Sequence, residues 1–217
     1  MRVYTGTGIS YFHGSGSVNK SNYYRNGLSF PLAVDSIGNH FGKKIKSNFL
    51  VGLQLDLPLS TVWNFLLSTQ YESTGSRLES DSVLSPAGNF KTNGTFSNTY
   101  DFISVNPQIG RCFSMRKMSI TLHGGFDYCF KLNYADNFNF VDQAGINNSI
   151  GHTGGRPEVN DFRITAGIMA TLKKWSLDLN YKHGLTNYNI NNTDKASLRI
   201  LHLKLIYTIL HSKSRAG

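Results

Sequence analysis

The most constraining feature of the sequence is a strict alternation of apolar and polar residues close to its C-terminal end. Residues 198–209 read LRILHLKLIYTI, so that from position 201 apolar residues occupy the odd positions, while His202, Lys204 and Thr208 occupy even ones. A period of two predicts a β-strand whose two faces meet different surroundings. One face is too apolar, and the other too charged, for an ordinary sandwich core. The pattern recurs along the chain and indicates a transmembrane β-barrel.

The composition agrees with this class and argues against several others. The chain has 217 residues, enough for one sizeable domain, and only 16% of them are charged, against about 25% in a typical soluble domain. No stretch approaches the ~18 consecutive apolar residues of a membrane helix. The net charge of +9 comes from scattered lysines and arginines, and no nucleic-acid-binding motif accompanies them. We therefore expect no nucleic-acid partner, and attraction to lipid headgroups or lipopolysaccharide phosphates instead.

Eight segments carry the alternation, and most have the ~9–11 residues that a tilted strand needs to cross a bilayer. Short and long connections alternate between them, as in outer-membrane barrels with short periplasmic turns and long outer loops. We therefore predict an all-β fold, namely an eight-stranded antiparallel up-and-down transmembrane β-barrel. The predicted strands are residues 3–12, 48–57, 62–72, 100–113, 119–134, 161–172, 176–188 and 197–209, and the long loops are residues 13–47, 73–99 and 136–160.

The domain organisation follows from these segments. Residues 1–210 are predicted to form a single outer-membrane β-barrel domain, and residues 211–217 a polar C-terminal tail. The sequence enters its first strand without the charged and apolar segments of an export signal. We interpret it as a mature exported chain and expect it in the bacterial outer membrane.

Many polar residues share the inward parity of the predicted strands. Charges cannot lie in a dry apolar core without partners, and since both signs are present we expect them to pair. A hairpin of the last two strands would bring Asp178 near Lys204 and Lys182 near His202. Such a network would leave no open channel in a barrel of eight strands. The predicted interior polar network comprises Asp56, Glu72, Asp127, Lys131, Arg163, Asp178, Lys182, His202 and Lys204.

Aromatic residues recur near the ends of the predicted strands. Tryptophan and tyrosine are enriched where a membrane protein meets the two lipid interfaces, so we interpret these residues as two girdles, with ordinary core aromatics as the alternative. Inward glycines such as Gly52 and Gly167 fit two interpretations equally well, space for long interior side chains or bends in the strands. The predicted membrane-interface aromatics are Trp63, Tyr71, Phe113, Phe130, Trp175, Tyr181 and Tyr207.

The residue types that catalyse reactions or bind metals lack a functional spacing in this sequence. Cys112 and Cys129 face inward on neighbouring strands, but the hairpin separates them by roughly 30 Å along the strands, so we predict two free, buried thiols. No histidines have a ligand spacing, and we expect no cofactor, no metal site and no catalytic residue. The trio His183, Ser68 and Glu72 near the outer end leaves a lipid A-modifying hydrolase as an open alternative.

Residues 161–209 carry the clearest resemblance to a known family. A strand containing Gly167 is followed by a tight turn, a strand with Tyr181 that closes in GLTN, a loop and a final strand. This order resembles the porin-family outer-membrane β-barrel domain of Gram-negative bacteria, which is similar in architecture to OmpA and OmpX and includes PorT-like proteins. Residues 48–60 resemble its second strand and first turn. One departure is the end of the chain, where LHSKSRAG follows the position at which the family ends on an aromatic residue.

The resemblance implies an integral outer-membrane protein, although the family's name does not imply conduction. We expect a structural or surface-interaction role for a monomer that contacts outer-membrane lipid and lipopolysaccharide and binds a protein or surface ligand through its long loops. Three alternatives stay open: a small-solute porin, a lipid-modifying outer-membrane enzyme, and a soluble barrel around an apolar ligand, which would need its polar face outside. The loop aromatics expected to pack on one another or on a ligand are Tyr23, Tyr24, Phe30, Phe41, Phe90, Phe96, Phe138 and Phe140.

Overall fold

The computed structural model describes residues 1–21, 23–24, 36–37, 40–85, 88–141, 145–153, 160–189 and 194–210. No helix in this part of the chain has the length and apolarity needed to cross a membrane. The predicted tail, residues 211–217, lies outside the described residues. The strands are β1 (Arg2–His13), β2 (Tyr23–Tyr24), β3 (Ser36–Ile37), β4 (Lys46–Pro58), β5 (Trp63–Ser85), β6 (Gly88–Ser114), β7 (Ser119–Val141), β8 (Asn147–Thr153), β9 (Asp161–Leu172), β10 (Trp175–Gly184) and β11 (Ser197–Thr208).

Eight of these strands pair side by side into a closed ring. The order around the ring is β4, β1, β11, β10, β9, β7, β6 and β5, and the pairing of β5 with β4 completes the circle. Every neighbouring pair in the ring is antiparallel. Closure pairs each ring strand on both sides and so removes the exposed edges of an open sheet. The prediction of an eight-stranded up-and-down barrel is confirmed.

Apolar side chains point outward from the ring and polar side chains point inward. On β11, Leu201, Leu203 and Leu205 are 39%, 44% and 47% exposed, whereas His202 is 0% and Lys204 is 3% exposed. A water-soluble barrel would have the opposite distribution, with its polar face in contact with water. The alternative in which the polar face points outward is therefore wrong.

The hairpin of β5 and β6 is much longer than the sequence predicted. Its strands pair from residue 73 to residue 85 and from residue 88 to residue 99, within a segment predicted as a long loop. That prediction is wrong because apolar and polar residues continue to alternate there, with the apolar residues now on the inner face and with a smaller difference in polarity between the two faces. Leu78 and Phe96 are buried on the inner face, while polar residues such as Thr95 are exposed on the other.

The long strands extend past the barrel as a second structural zone. Residues 74–85, 88–100 and 134–141 form it together with β2, β3 and β8, and we name this zone the outer sheet. The 12 residues from 74 to 85 span about 40 Å along their strand at ~3.4 Å per residue. Strand β2 pairs in parallel with β5, and β8 pairs antiparallel with β7.

The end of β7 and the end of β10 also differ from the predicted boundaries. β7 continues to Val141 and is followed by β8, so part of the predicted loop 136–160 is sheet. The register between β6 and β7 shifts at Asp101/Phe102, and this irregularity changes which residues of β7 face inward beyond it. β10 ends at Gly184, although the backbone NH of Leu185 still donates to the carbonyl of Phe162 on β9. The backbone NH of Phe162 donates to the side-chain hydroxyl of Thr186, so a side chain takes over from the backbone at this point.

Two inward glycines provide space for neighbouring rings. A Cβ atom on Gly167 would lie 2.5 Å from Cε1 of His123, and one on Gly52 would lie 2.6 Å from Cζ of Tyr4. Neither glycine has a positive φ, so backbone freedom does not explain them. At these two positions the structure supports the interpretation that the glycines leave space for interior side chains, and not the interpretation that they bend the strands.

We expect the substitution Gly167→Val to lower the free energy of unfolding by about 1–3 kcal/mol, because the new side chain must displace His123 or distort the strand. Gly151→Val on β8 is the matched control, since a Cβ there meets only the carbonyl oxygen of Asp136, at 3.5 Å. Its effect should stay within about 0.5 kcal/mol. Urea unfolding of the detergent-folded protein measures both, and equal losses would contradict the steric explanation.

Candidate functional site

A fully buried ion cluster occupies the middle of the barrel. Its four side chains come from four strands: Glu72 on β5, Asp127 on β7, Arg163 on β9 and Lys182 on β10, all 0% exposed. Lys182 Nζ donates to Asp127 Oδ2 at 2.6 Å and to Glu72 Oε2 at 2.9 Å. Arg163 Nη1 donates to Glu72 Oε1 and lies 3.5 Å from Asp127 Oδ2. Each of the two cations therefore lies between the same two carboxylates, so that none of these four buried charges lacks an opposite charge beside it.

Asp161 is a fifth member that the sequence prediction omitted. Arg163 Nε donates to Asp161 Oδ2 at 2.5 Å, and both side chains are fully buried. The guanidinium carbon lies 5.1 Å from the centroid of the Phe102 ring, so an aromatic face also covers the cation. The signal was present in the sequence, because Asp161 has the inward parity of Arg163 and stands at the first position of its strand.

A second interior group surrounds Asp178 on β10. His123 Nε2 lies 2.8 Å from Asp178 Oδ1, and Lys204 Nζ lies 3.5 Å from Asp178 Oδ2. Asp178 and Lys204 are direct partners in the strand register, as the sequence predicted. His202 is fully buried and faces Asn180, so its relation to Lys182 is diagonal rather than direct.

Two residues of the predicted network lie away from these groups. Asp56 is near the short turns, where Arg2 Nε lies 2.6 Å from its Oδ2 and Gln54 Nε2 donates to its Oδ1 at 2.7 Å. Lys131 pairs in register with Phe102 and is half-buried, next to the irregularity in β7. The structure thus divides the predicted network into a central cluster, a group around Asp178, His202 opposite Asn180, and two residues away from all of these.

Apolar clusters fill the interior on both sides of the ions. Toward the long loops, Phe12, Tyr100 and Tyr188 pack with edge-on rings whose centroids are 5.1–6.0 Å apart. Toward the short turns, Tyr4 and Ile206 belong to a smaller buried cluster. The barrel interior therefore consists of successive packed layers, with charges between two apolar layers.

The central cluster contains a set of potential metal ligands. Ligand atoms of Glu72, Asp127 and Cys129 all lie within 4.8 Å of one another. The carboxylates already bind Lys182 and Arg163, so a metal ion would have to displace two cationic side chains. We assign no metal to this position.

Both cysteines are free, as predicted, but they are not equally buried. Cys129 is fully buried beside Asp127, whereas Cys112 is half-buried, which corrects the prediction of two buried thiols.

The trio considered for catalysis, His183, Ser68 and Glu72, does not come together. Ser68 and Glu72 face the interior, while His183 lies on the outer surface within hydrogen-bond distance of the Tyr181 hydroxyl.

All seven predicted interface aromatics have the outward parity of their strands, and the alternative of ordinary core aromatics does not describe them. At the short-turn end, the Trp175 and Tyr207 rings are 4.8 Å apart, and the guanidinium of Arg111 lies 5.9 Å from the Trp63 ring. The outward aromatic residues at the two ends of the barrel contact different partners. The outward aromatic pairs nearer the long loops are Phe49 with Tyr71, Tyr128 with Phe130, and Tyr181 with the His183 ring.

The outer sheet has one apolar face and one polar face. Leu78, Phe96, Phe138 and Phe140 form a buried cluster on the inner face, with the Phe138 and Phe140 rings stacked 5.0 Å apart. These loop aromatics, like Phe41 against Phe12, pack on one another rather than on an open surface. The side chains of Tyr23, Tyr24, Phe30 and Phe90 lie outside the described part of the structure.

The polar face of the outer sheet is concave. Its residues line a depression of about 680 Å³, with Thr95 and Ser97 on β6, Asn137 and Asn139 on β7, and Arg77 at one side. These side chains are short and carry hydrogen-bonding groups, so the face is suited to contact with a polar ligand.

Lys46 lies at the base of the outer sheet. Its ammonium group donates to the carbonyl oxygen of Asn98 at 2.6 Å and to the hydroxyl of Thr99. Burial, and then the positive charge of Arg77, lower the pKa of Lys46 to about 8. This amine therefore loses its proton at a lower pH than an exposed lysine.

Comparisons with known proteins give a weak likeness among solved structures. No protein-family model matches the chain, and none of the curated proteins matches it. Among solved structures, the chain is similar to Ail, the attachment invasion locus protein of Yersinia pestis, in complex with the heparin analogue sucrose octasulfate. Identity is 12% and the TM-score is 0.34, with 95% of this chain and 97% of Ail covered. At this level of similarity, the fold assignment rests on the strand pairing described above.

We expect the substitution Lys182→Met to lower the free energy of unfolding by about 3–5 kcal/mol, because it leaves buried carboxylate charge without a partner. Adding Asp127→Asn should recover part of this loss by removing one of the charges. Lys174→Met, at an exposed turn position, should change stability by less than about 0.5 kcal/mol. The denaturant midpoints of the detergent-folded variants measure these changes in stability. A loss of stability in Lys182→Met no larger than that in Lys174→Met would contradict the prediction.

Proposed function

We propose that this chain is an integral outer-membrane β-barrel protein with a structural or surface-interaction role. In this proposal the protein has no open pore, no cofactor and no enzymatic activity, and it works as a monomer. It contacts outer-membrane lipid and lipopolysaccharide, and it binds a protein or surface ligand outside the cell. The resemblance of residues 161–209 to the porin-family barrel domain supports the location.

The outward apolar surface supports membrane insertion. On β9, exposed apolar side chains recur from Phe162 to Leu172, which matches the ~9–11 residues that a tilted strand needs to cross the hydrocarbon. On β4 they recur from Phe49 to Leu57. Side chains with this exposure are stable in contact with lipid, and a closed ring satisfies the backbone hydrogen bonds that lipid cannot.

The observation that carries the functional proposal is the outer sheet. Three strands of the barrel continue far beyond the apolar belt, and their exposed face changes from apolar to polar at the level of Asp101. A barrel that only anchored itself would have no need for this extension. Loops and sheets held by a rigid scaffold are where binding functions concentrate.

The packed interior supports the absence of a pore, and conductance tests it. We expect planar bilayers containing the purified protein to show no stepwise conductance above the protein-free bilayer. The reason is that Arg163 and Lys182 fill the cross-section between the two apolar layers. A porin measured in the same bilayers provides the positive control. Unitary steps that scale with the amount of this protein would favour the small-solute porin instead.

Shortening the hairpin tests the role of the outer sheet. Glu79 and Thr95 are directly opposite in the register, so residues 80–94 can be replaced by an Asn-Gly turn, which suits a two-residue hairpin. We expect vesicles with the shortened barrel to adhere to cultured cells at least about tenfold more weakly than vesicles with the full chain, equivalent to ~1.4 kcal/mol.

The control for this experiment changes the opposite end of the barrel. The double substitution Lys173→Ser and Lys174→Ser alters an exposed turn at the short-turn end and should leave adhesion unchanged. A mobility shift on boiling in detergent gels verifies that each variant is folded. Equal adhesion of the full and shortened barrels, with both folded, would refute a role for the outer sheet in binding.

A further inference from the structure

The outward surface of the barrel contains one apolar groove at its short-turn end. The groove has a volume of about 560 Å³ and follows the first half of β1. Val51 and Leu53 of β4 form one wall, and Leu205 and Tyr207 of β11 form the other, with Trp175 at its end. Its size is within the range of roughly 300–1,000 Å³ that is typical of small-molecule sites.

The groove exists because β1 has small outward side chains between strands with large ones. Thr5 on β1 pairs in register with Leu205 on one side and with Val51 on the other. The shorter threonine leaves a channel between the two larger neighbours. The hydroxyl of Thr5 donates to the carbonyl oxygen of Leu50 at 3.3 Å, so the floor of the groove does not need water to satisfy its polar atoms.

The end of the groove is positively charged. Lys173 and Lys174 form the turn that immediately precedes Trp175, and both are exposed. The backbone NH of Thr208, next to the groove wall at Tyr207, donates to the carbonyl oxygen of Lys174 at 2.8 Å. An apolar channel that ends at two exposed lysines matches a molecule with a hydrocarbon chain and an anionic head.

We infer that this groove binds one anionic phospholipid of the leaflet on the short-turn side. The inference rests on the proposed membrane function, since the groove faces lipid only in an inserted barrel. One acyl chain lies along Thr5 between the β4 and β11 walls, and the headgroup phosphate meets Lys173 and Lys174. The charge provides the preference for anionic lipid, because lysines near a membrane surface attract anionic headgroups.

The two tryptophans of the chain allow a direct test. Trp175 borders the groove, whereas Trp63 lies at the same end but on β5, outside it. With Trp63→Phe, Trp175 is the single fluorescent probe in phosphatidylcholine vesicles. Phosphatidylglycerol with brominated acyl chains should quench Trp175 at a mole fraction roughly 30-fold lower than brominated phosphatidylcholine does, as expected for two lysines at about 1 kcal/mol each.

Two variants, one in the groove and one in the turn at its end, should abolish this preference. Thr5→Leu fills the channel with an exposed apolar side chain, and Lys173→Ser with Lys174→Ser removes the charge. The matched control is Arg116→Ser with Lys117→Ser, which removes the same charge from the exposed turn between β6 and β7. That turn lies two strand positions around the ring from the turn with Lys173 and Lys174. That control should leave the quenching of Trp175 unchanged. The boil-shift in detergent gels checks that each variant is folded.

The outcomes separate the lipid site from the proposed function. If both brominated lipids quench Trp175 equally, or if Thr5→Leu has no effect, the lipid site is wrong while the membrane barrel stands. The variant Trp175→Phe makes Trp63 the single tryptophan in the same way. If the brominated lipids quench neither Trp175 nor Trp63 in these two variants, the barrel does not insert and both proposals fail. If Trp175 is protected from all lipids and crosslinking shows a dimer that Thr5→Leu dissociates, a second copy occupies the groove and the lipid site is overturned.

Discussion

Closure of the backbone hydrogen bonds around the ring is the constraint on which the rest of the structure depends. Because each of the eight ring strands is paired on both sides, the outward face needs no polar partner and is covered with apolar side chains. The polar side chains of the same strands must then lie inside, where burial makes pairing obligatory. The cluster in which Lys182 contacts Asp127 and Glu72 at 2.6 Å and 2.9 Å is the consequence.

The same three strands build two zones with opposite chemistry. Below the level of Asp101 the outward face of β6 is apolar, and above it the outward face carries Thr99, Ser97 and Thr95 while Phe96 is buried. At this boundary the irregularity in β7 shifts by one residue the set of side chains that face inward. A continuous set of strands thus joins a cylinder with an apolar exterior to a sheet whose exposed face is polar.

Segments with strong alternation were predictable, and segments with weak alternation were not. The bounds of β9 agree with the prediction, because Phe162, Ile164 and Ile168 alternate there with Arg163 and Thr165. Residues 73–99 are rich in serine, threonine, asparagine and glycine, which also mark loops, so only the strand pairing, such as that of Leu78 with Phe96, reveals the hairpin. Most of the interior residues were predicted correctly from their odd or even position in the strand. Asp161 was omitted from the prediction although its position has the same inward parity as that of Arg163.

Before the irregularity in β7, the sequence by itself determined the strand period and the face on which side chains of the barrel lie, and hence an apolar exterior with a charged interior. The tertiary structure alone decided the partners across the barrel. Arg163 contacts Glu72 over a separation of 91 residues, and His123 contacts Asp178 over a separation of 55. The physical reason is that alternation assigns a face, whereas strand tilt and stagger in the closed barrel set the relative heights of side chains on strands that are not neighbours.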